Sequence, residues 1–232
     1  SGAINGNPAG LPFIAPDYSS AWLLKDVQME YLQEKFDKKG LMILYTAPWP
    51  GQGFYTKFPV NSVSDFSGKK LRIYSTATQQ MGSMLGFNAT ILPFAEIPQA
   101  FSTGLIEALF TSPQTGIDIQ AWDNTKHFTY AGAIFSKNAV VVTKKAFNAL
   151  SKGDQSNMLA AAKKAELRGW EMSAETTKKQ IDILKKNGMS SKNAPDEVIS
   201  KMKSIGLEMM KNWRSKASPE ANAVLDRYLS MR

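Results

Sequence analysis

The chain of 232 residues carries 28 lysines and arginines against 20 aspartates and glutamates, one histidine and no cysteine. The lack of cysteine excludes disulfides, thiolate metal sites and a cysteine nucleophile, and the lone histidine, His127, excludes a metal site built from several histidines. No apolar run is long enough to span a bilayer. The lysine pairs recur at helical intervals among acidic residues, without any nucleic-acid-binding motif. We therefore expect a protein that binds no nucleic acid and is not itself embedded in a membrane.

The chain begins with a segment, residues 1–17, that is rich in glycine, proline and asparagine and is expected to be loop-like. Ser19 or Ser20 is the expected N-cap of a helix that runs to about Lys38 and is ended by Gly40. A buried strand is predicted over residues 41–47. The prolines and glycines of residues 48–53 then break the chain.

Strands and helices alternate through the middle of the chain. Strands are predicted at residues 70–74, 88–92 and 105–111, and helices at 76–85, 95–103 and 113–122. Such alternation is typical of a parallel sheet with covering helices. The sequence therefore predicts an α/β fold.

The last third is predicted to be helical after two further strands, at residues 127–133 and 138–143. Ser151 is a suitable cap, with Asp154 three residues later, and Asn187-Gly188 is a suitable end. The helix between them would have about 35 residues and a length of ~50 Å. Because this exceeds one small lobe, we expect it to run along two. Further helices are predicted at residues 196–216 and 219–232.

Arg72 is the most informative single residue, because it lies inside a predicted strand. A guanidinium keeps its charge and presents a fork of donors that matches a carboxylate. It therefore either forms a salt bridge within the protein, with Asp65 as one candidate, or binds an anion. Composition alone favours the salt bridge.

Other possible ligand-binding features are a glycine pair and several aromatic residues. Gly51-Gln52-Gly53 lacks the third glycine of a dinucleotide fingerprint, and Pro59 blocks the helix that should follow. These residues form either a turn that lets backbone approach a ligand or a plain chain reversal. Aromatic residues near turns cover a core edge or form the walls of a ligand cleft. The aromatic candidates are Trp49, Tyr55, Tyr74 and Trp122.

An enzyme acting on an anionic small molecule is the alternative function. His127 with Asp123 could act as a base with its orienting group, and Glu96 and Glu107 are candidate acids. No acid/base constellation or cofactor motif accompanies them, so we expect neither catalysis nor a cofactor.

Three segments of the chain match the sequence pattern of one protein family. Its segment "kkPi-x-s-x-x-DLkGlkiRv" is matched by Pro59, Ser62, Asp65, Gly68 and Arg72. Its segment "mPf-x-E-x-x-x-AL-x-tG-x-vDg" is matched by Pro93, Phe94, Glu96, Ala100, Gly104 and Glu107, with glutamate for the usual aspartate. Residues 122–149 resemble its return strand and its "vNKk-x-f-x-aL" segment. With these segments the chain resembles the substrate-binding proteins of tripartite ATP-independent periplasmic (TRAP) transporters, the DctP-type family. The similarity covers nearly the whole chain from about Leu11, in the expected order.

This resemblance implies a two-lobed periplasmic-binding-protein-like fold with a long C-terminal helix spanning both lobes. Residues 1–50 would be the remainder of lobe I, 51–126 lobe II, 127–150 the return crossing strands and 151–232 the C-terminal helices packing on both lobes. The implied function is capture of a small organic acid in the periplasm and its delivery to the TRAP membrane permease subunits.

The resemblance also assigns site residues. The family's ligand-binding arginine falls on Arg72. A frequent family asparagine is replaced at Thr111-Ser112, where hydroxyls are expected to take over from the amide. The family's frequent second arginine falls near Gln52, which argues against a dicarboxylate and for a monocarboxylate, with aromatic acids among the candidates. Trp49, Gln52 and Tyr74 are expected to shape the rest of the pocket, and Trp122 is a further candidate contact.

The start of the chain departs from the family pattern. Family members carry a further segment before the position of Ser1, and a lobe without its first strands would expose a sheet edge. We therefore expect the chain to be part of a longer protein, with any signal peptide absent from it.

Overall fold

The computed structural model describes residues 8–232. The prediction that residues 1–7 begin in mid-domain lies outside the described residues. The α-helices are α1 (Tyr18–Asp37), α2 (Thr76–Met84), α3 (Ile97–Ser102), α4 (Pro113–Asp118), α5 (Lys144–Asn148), α6 (Lys152–Lys186), α7 (Asp196–Arg214) and α8 (Pro219–Ser230). The strands are β1 (Leu41–Pro48), β2 (Gly53–Thr56), β3 (Lys70–Ile73), β4 (Asn88–Ile91), β5 (Ala108–Thr111), β6 (His127–Tyr130), β7 (Lys137–Thr143) and β8 (Ser190–Asn193).

The described strands form two sheets. β1 and β7 pair antiparallel as a two-stranded sheet, and the others form a six-stranded sheet in the order β4-β3-β5-β2-β6-β8. β3 is parallel to β4 and β5, β2 is antiparallel to β5 and β6, and β6 is parallel to β8. The strands from which a parallel sheet was predicted, β3, β4 and β5, are parallel, whereas β2, which was not predicted, enters the sheet from the other direction.

Two extended segments join the sheets, residues 49–52 and residues 131–136. They run side by side, since the Trp49 amide donates to the Ser136 carbonyl (2.8 Å) and the Gln52 amide to the Ile134 carbonyl (3.2 Å). Glycine is required at Gly51, where a Cβ atom would overlap the hydroxyl of Tyr130. The pair of segments thus forms a close-packed connection between the two sheets.

The long helix α6 confirms the predicted 35-residue element and contacts both sheets. Ser151 caps it, because its hydroxyl accepts the backbone N–H of Asp154 (3.1 Å). Trp170 reaches β1, where its indole donates to the Thr46 hydroxyl (3.2 Å), while Leu184 is fully buried in a core of the six-stranded sheet. α6 therefore ties the two sheets together.

Two cores cover the two faces of the six-stranded sheet. The larger one, between the sheet and helices α1, α2, α7 and α8, contains Leu71, Ile73 and Phe110. The smaller one, beneath α3, α4 and the end of α6, contains Tyr55 and Leu109. Successive residues of a strand point to opposite faces, and the strands here divide their side chains between the two cores in this way.

Several local predictions need correction. The N-cap of α1 is Asp17 instead of Ser19 or Ser20, since the Asp17 carboxylate accepts the Ser20 N–H (2.7 Å). β1 is buried only at Ile43 and Thr46, because α1 and α6 cover it on one side. The helix predicted at residues 95–103 is a 3₁₀ turn (Phe94–Glu96) followed by α3. β2, β8 and α5 were not predicted.

Candidate functional site

Several polar side chains lie where strands of the six-stranded sheet end. The carboxyl ends of β3 and β5 meet the start of β2 at one edge of the sheet, since Gly53 pairs with Thr111 and Arg72 with Leu109. This edge faces the segments that lead to the second sheet. The carboxyl ends of parallel strands are common ligand sites in α/β proteins.

Arg72 is buried at this edge, with 4% of its surface exposed. Its Nε donates to the carbonyl of Leu92 (3.0 Å), and within residues 8–232 no ion pair and no hydrogen bond to its two Nη atoms is present. Burial lowers the pKa of Arg72 from its ordinary value, with a smaller opposing effect from Tyr74. A buried charge without a counterion is costly, so Arg72 is the unpaired buried cation at this edge for which a role has to be found.

The salt bridge that composition favoured is not formed. The carboxylate of Asp65 instead accepts the backbone N–H groups of Asn61 (2.7 Å) and Ser62 (2.9 Å). These bonds lower the pKa of Asp65. Asp65 therefore shapes the turn before β3 and leaves Arg72 unpaired.

A chain of three hydrogen-bonded side chains lies beside Arg72. The Tyr74 hydroxyl donates to Gln52 Oε1 (2.7 Å), and Gln52 Nε2 donates to the Ser136 hydroxyl (3.0 Å). Burial raises the pKa of Tyr74 to about 12, so it stays protonated and donates at neutral pH. These bonds fix which end of the Gln52 carboxamide points to each neighbour. Gln52 itself is buried, with 3% of its surface exposed.

Thr111 and Ser112, at the end of β5, differ in what their hydroxyls can do. The Ser112 hydroxyl caps α4 by accepting the Thr115 N–H (3.1 Å). The hydroxyl of Thr111 makes no hydrogen bond within the described part of the chain, and Thr111 is 6% exposed. Thr111 is therefore the freer of the two to bind a ligand.

The two predicted tryptophans lie apart from this group. Trp49 lies in the connecting segment next to Gln52 and lines a cavity against α6. Trp122 packs on the smaller core shortly before His127, which pairs with Thr56 at the far end of the sheet. The structure thus brings together Arg72, Gln52, Tyr74, Thr111 and Ser112, with Trp49 adjacent, and does not bring Trp122 to them.

Two residues at this edge had no predicted role. Ser136 completes the hydrogen-bonded chain but lies in an irregular segment 84 residues from Gln52, so no local pattern indicated it. Phe94 is 53% exposed and follows Leu92, whose carbonyl holds Arg72. Phe94 entered the sequence analysis only as a family match, because the exposure of its ring cannot be read from the sequence.

The candidate acid/base residues do not form a catalytic group. His127 makes no hydrogen bond to Asp123 within residues 8–232, and partial burial, with a smaller contribution from Lys192, lowers its pKa. Glu107 accepts the Lys70 backbone N–H (3.3 Å). No cluster of three or more possible metal ligands occurs in the described part of the chain, and none of its helices is long and apolar enough to cross a membrane.

A comparison with known protein families assigns the chain to one of them. The family model of bacterial extracellular solute-binding proteins, family 7 (DctP), matches residues 7–216. The chain belongs to this family. Its members are solute-binding receptors for transport and not enzymes, and the two-lobed α/β fold with a long helix is theirs.

Three solved structures are similar over nearly the whole chain. The receptor DctP7 of Bordetella pertussis, binding pyroglutamic acid, is 37% identical, with 94% of this chain and 72% of that chain covered and a TM-score of 0.91. DctP6 of the same organism, also binding pyroglutamic acid, is 34% identical over 97% and 76%, with a TM-score of 0.92. A marine metagenome TRAP protein specific for pyroglutamate is 31% identical over 98% and 75%, with a TM-score of 0.92.

A curated relative is a solute-binding protein of Chromohalobacter salexigens, which is 24% identical over 184 residues. These residues are 75% of this chain and 54% of the relative, so the chain spans about half of that protein.

Proposed function

We propose that this protein captures a small organic acid outside the cytoplasm and presents it to the membrane permease subunits of a TRAP transporter. The observation that carries the proposal is Arg72, a buried guanidinium whose two Nη atoms make no hydrogen bond and which has no carboxylate partner within the described residues. A ligand carboxylate would accept one N–H from each Nη atom as a fork-to-fork pair. Such a pair is strong because the site already excludes most water.

The proposed ligand is a monocarboxylate, and pyroglutamate is the first candidate. Gln52 lies near the position where many family members carry a second arginine. Arg72 can therefore pair with one ligand carboxylate, and no second arginine is present here to pair with another. Pyroglutamate also has a ring amide with one N–H donor and one carbonyl acceptor. Gln52, Ser136 and Thr111 offer both kinds of partner at the same edge. Three solved relatives, each more than 30% identical to this chain, bind pyroglutamate, which supports the choice.

The aromatic side chains shape the rest of the proposed pocket. Tyr74 holds the Gln52 carboxamide, and Phe94, two residues after the Leu92 carbonyl that binds Arg72, has an exposed ring. We propose that Phe94 covers the apolar face of the bound ring. Trp49 is a proposed contact at the rear of the site, whereas the position of Trp122 offers no support for a contact.

The two sheets are the proposed cores of the two lobes. In this proposal residues 1–50 belong to lobe I, 51–126 to lobe II, 127–150 return between them, and 151–232 pack on both. Binding closes the lobes by bending the segments at 49–52 and 131–136, and the closed form is what the permease recognises. The periplasm is the proposed location, as for the family.

Calorimetry on the protein expressed from its complete reading frame tests the proposal. Pyroglutamate should bind, and its uncharged amide, which lacks only the carboxylate, should bind at least about a hundredfold more weakly. Arg72→Lys should lose about tenfold or more for the acid, because an ammonium cannot form the two parallel bonds. Equal affinities for the acid and the amide would refute a carboxylate site at Arg72. Binding of a different monocarboxylate, with loss in Arg72→Lys, would keep the site and replace the ligand.

A further inference from the structure

Backbone hydrogen bonds between the two connecting segments fix the positions of Gln52 and Ser136. The Gln52 carbonyl accepts the N–H groups of Ala131 (3.3 Å) and Gly132 (2.9 Å), and the Trp49 N–H donates to the Ser136 carbonyl (2.8 Å). Both residues are therefore held at the backbone on neighbouring stretches of chain. What remains adjustable is the side chain of Gln52, because the terminal torsion of a glutamine is soft.

The Gln52 carboxamide is bound at each end by a hydroxyl from a different part of the fold. Its Oε1 accepts the hydroxyl proton of Tyr74, directly after β3 (2.7 Å), and its Nε2 donates to the Ser136 hydroxyl (3.0 Å). An amide nitrogen carries two protons and an amide oxygen has two lone pairs. One N–H of Gln52 thus stays available, since no other hydrogen bond of this Nε2 occurs among the described residues.

Two contacts fix the carboxamide more firmly than one. A carboxamide held at one end only still turns about that contact. Tyr74 holds Oε1 from the six-stranded sheet, and Ser136 holds Nε2 from the other connecting segment. Together they keep the carboxamide in one plane, so its free N–H points in a fixed direction. This direction matters because hydrogen bonds weaken steeply when donor and acceptor are misaligned.

We propose that Ser136 makes the proposed solute site specific for a ring lactam, because it holds the Gln52 carboxamide in the plane that a ring carbonyl requires. The inference rests on the proposed function, in which Arg72 binds the ligand carboxylate. The free N–H of Gln52 then donates to the ring carbonyl of the ligand. A ring acid without a carbonyl leaves this buried N–H unpaired, so the site rejects it. Ser136 is a positioning residue that acts through Gln52.

Calorimetry with three acids tests the proposal, each with a five-membered ring and one carboxylate. Pyroglutamate has both the lactam N–H and the carbonyl, 3-oxocyclopentane-1-carboxylate keeps the carbonyl without the N–H, and cyclopentanecarboxylate has neither. The ratio of the affinities for the last two acids measures the contact with the carbonyl. In the native protein this ratio should be about tenfold or more in favour of the 3-oxo acid. Equal affinities would overturn the proposal without any variant.

Ser136→Ala should reduce this ratio about fivefold and leave the affinity for cyclopentanecarboxylate unchanged within about twofold. A merely structural role would weaken binding of all three acids alike and keep the native ratio, which would overturn the proposal. Ser136→Thr keeps the hydroxyl and should keep the native ratio, so a loss as large as that in Ser136→Ala would also contradict it. Asn138→Ala, at an exposed position two residues later, is the matched control and should bind all three acids as the native protein does.

Failure of this inference and failure of the proposed function give different results. A native protein that binds no monocarboxylate would overturn both. Binding of another monocarboxylate but of none of the ring acids would keep the Arg72 site and overturn the lactam specificity. Binding of pyroglutamate that weakens in Arg72→Lys, with a native ratio in Ser136→Ala, would overturn the role of Ser136 alone. A change only in the ratio of pyroglutamate to the 3-oxo acid would overturn the contact between Gln52 and the ring carbonyl.

Discussion

Arg72 and Lys25 are both buried cations, each 4% exposed, but only Lys25 has acidic side chains as partners. Lys25 Nζ lies 2.6 Å from Asp26 and 3.4 Å from Glu166, and 3.7 Å above the Trp22 ring. Arg72 has one hydrogen bond to a carbonyl and, within residues 8–232, no acid. Burial alone therefore does not indicate a binding site. The proposed site at Arg72 rests on burial together with the lack of a counterion.

Replacing each of these two cations by methionine should give the largest effects, on ligand affinity for Arg72 and on the free energy of unfolding for Lys25. Arg72→Met should lose about 3 kcal/mol of ligand binding, more than a hundredfold in Kd, because the ligand carboxylate loses its partner. Without ligand its free energy of unfolding should stay level or rise, since an unpaired buried charge is removed. Calorimetry and urea unfolding measure the two quantities.

Lys25→Met is the matched control for that experiment. It should leave ligand affinity unchanged but lower the free energy of unfolding by about 2 kcal/mol, because Glu166 loses a counterion. A large stability loss in unliganded Arg72→Met would contradict the comparison, since it would mean that Arg72 is structural.

Removing the charge of Glu166 should have the next largest effect. Its Oε1 accepts both the backbone N–H (2.9 Å) and the hydroxyl (2.7 Å) of Thr46, while Oε2 faces Lys25. Glu166→Gln keeps the shape of the side chain but replaces one carboxylate oxygen by an NH₂ donor group. Asp26 is then the remaining ion-pair partner of Lys25. We expect a loss of about 2 kcal/mol in the free energy of unfolding, measured by urea titration.

The exposed residue Glu171, on the same helix, provides a control for that change. Glu171→Gln should change stability by less than about 0.5 kcal/mol, because exposed helix pairs contribute little. Equal effects of the two substitutions would mean that the Lys25–Glu166 contact does not stabilise the fold.

A smaller effect is expected from Tyr74→Phe. This substitution removes the hydroxyl that donates to Gln52 Oε1 and leaves the ring in place. The Gln52 carboxamide can then turn, so ligand affinity should fall about fivefold to tenfold, near 1 kcal/mol. Calorimetry against the proposed acid measures the loss. Tyr45→Phe, on β1, is the control and should bind as the native protein does. A native affinity in Tyr74→Phe would show that the hydrogen bond does not orient Gln52 for the ligand.

The features predicted correctly from the sequence are those that short local patterns determine, such as helix caps and strand ends. The caps Ser151 and Asn187-Gly188 define α6 within one residue at each end, and strand ends place Arg72 and Tyr74 at one edge. The six-stranded sheet was predicted incompletely, because β2 and β8 are four residues each and form by pairing with distant strands, β2 with β5 and β6, and β8 with β6. Such pairing joins residues far apart in the chain and leaves no periodic pattern.

The same reasoning explains the errors in the candidate site. Trp122 shares its position near a turn with Trp49, but proximity to a turn does not say at which end of a sheet the turn lies. Ser136 could not be found, since its only signal is the side chain of Gln52 across the connecting segments. The position of Arg72 in a predicted strand singled it out, and the family resemblance supplied its ligand-binding interpretation. The salt bridge with Asp65 that composition favoured is absent because Asp65 is engaged with backbone N–H groups.

Lys137 offers the finest test of the comparison, because it is a partly buried cation that forms no ion pair in the described part of the chain. Unlike an arginine, a lysine can give up its proton when burial disfavours the charge. Burial, with a smaller contribution from Lys25, lowers the pKa of Lys137 from 10.5 to about 8. Between these two pH values the unfolded chain holds the Lys137 proton and the folded protein does not, so this residue by itself makes the free energy of unfolding rise with pH.

Tyr74 and Tyr130, whose pKa values burial raises to about 12, act in the opposite direction, because they ionise first in the unfolded chain. The native protein is therefore compared with Lys137→Met at each pH. Because part of the Lys137 side chain keeps contact with solvent, we expect the native protein to gain about 1 kcal/mol relative to Lys137→Met between pH 8 and pH 10.5. At pH 7 Lys137→Met should be the more stable by a similar amount, whereas Lys145→Met, at an exposed site on α5, should keep the native pH dependence. Urea unfolding at a series of pH values gives the free energies, and a native pH dependence in Lys137→Met would mean that Lys137 stays charged in the folded protein.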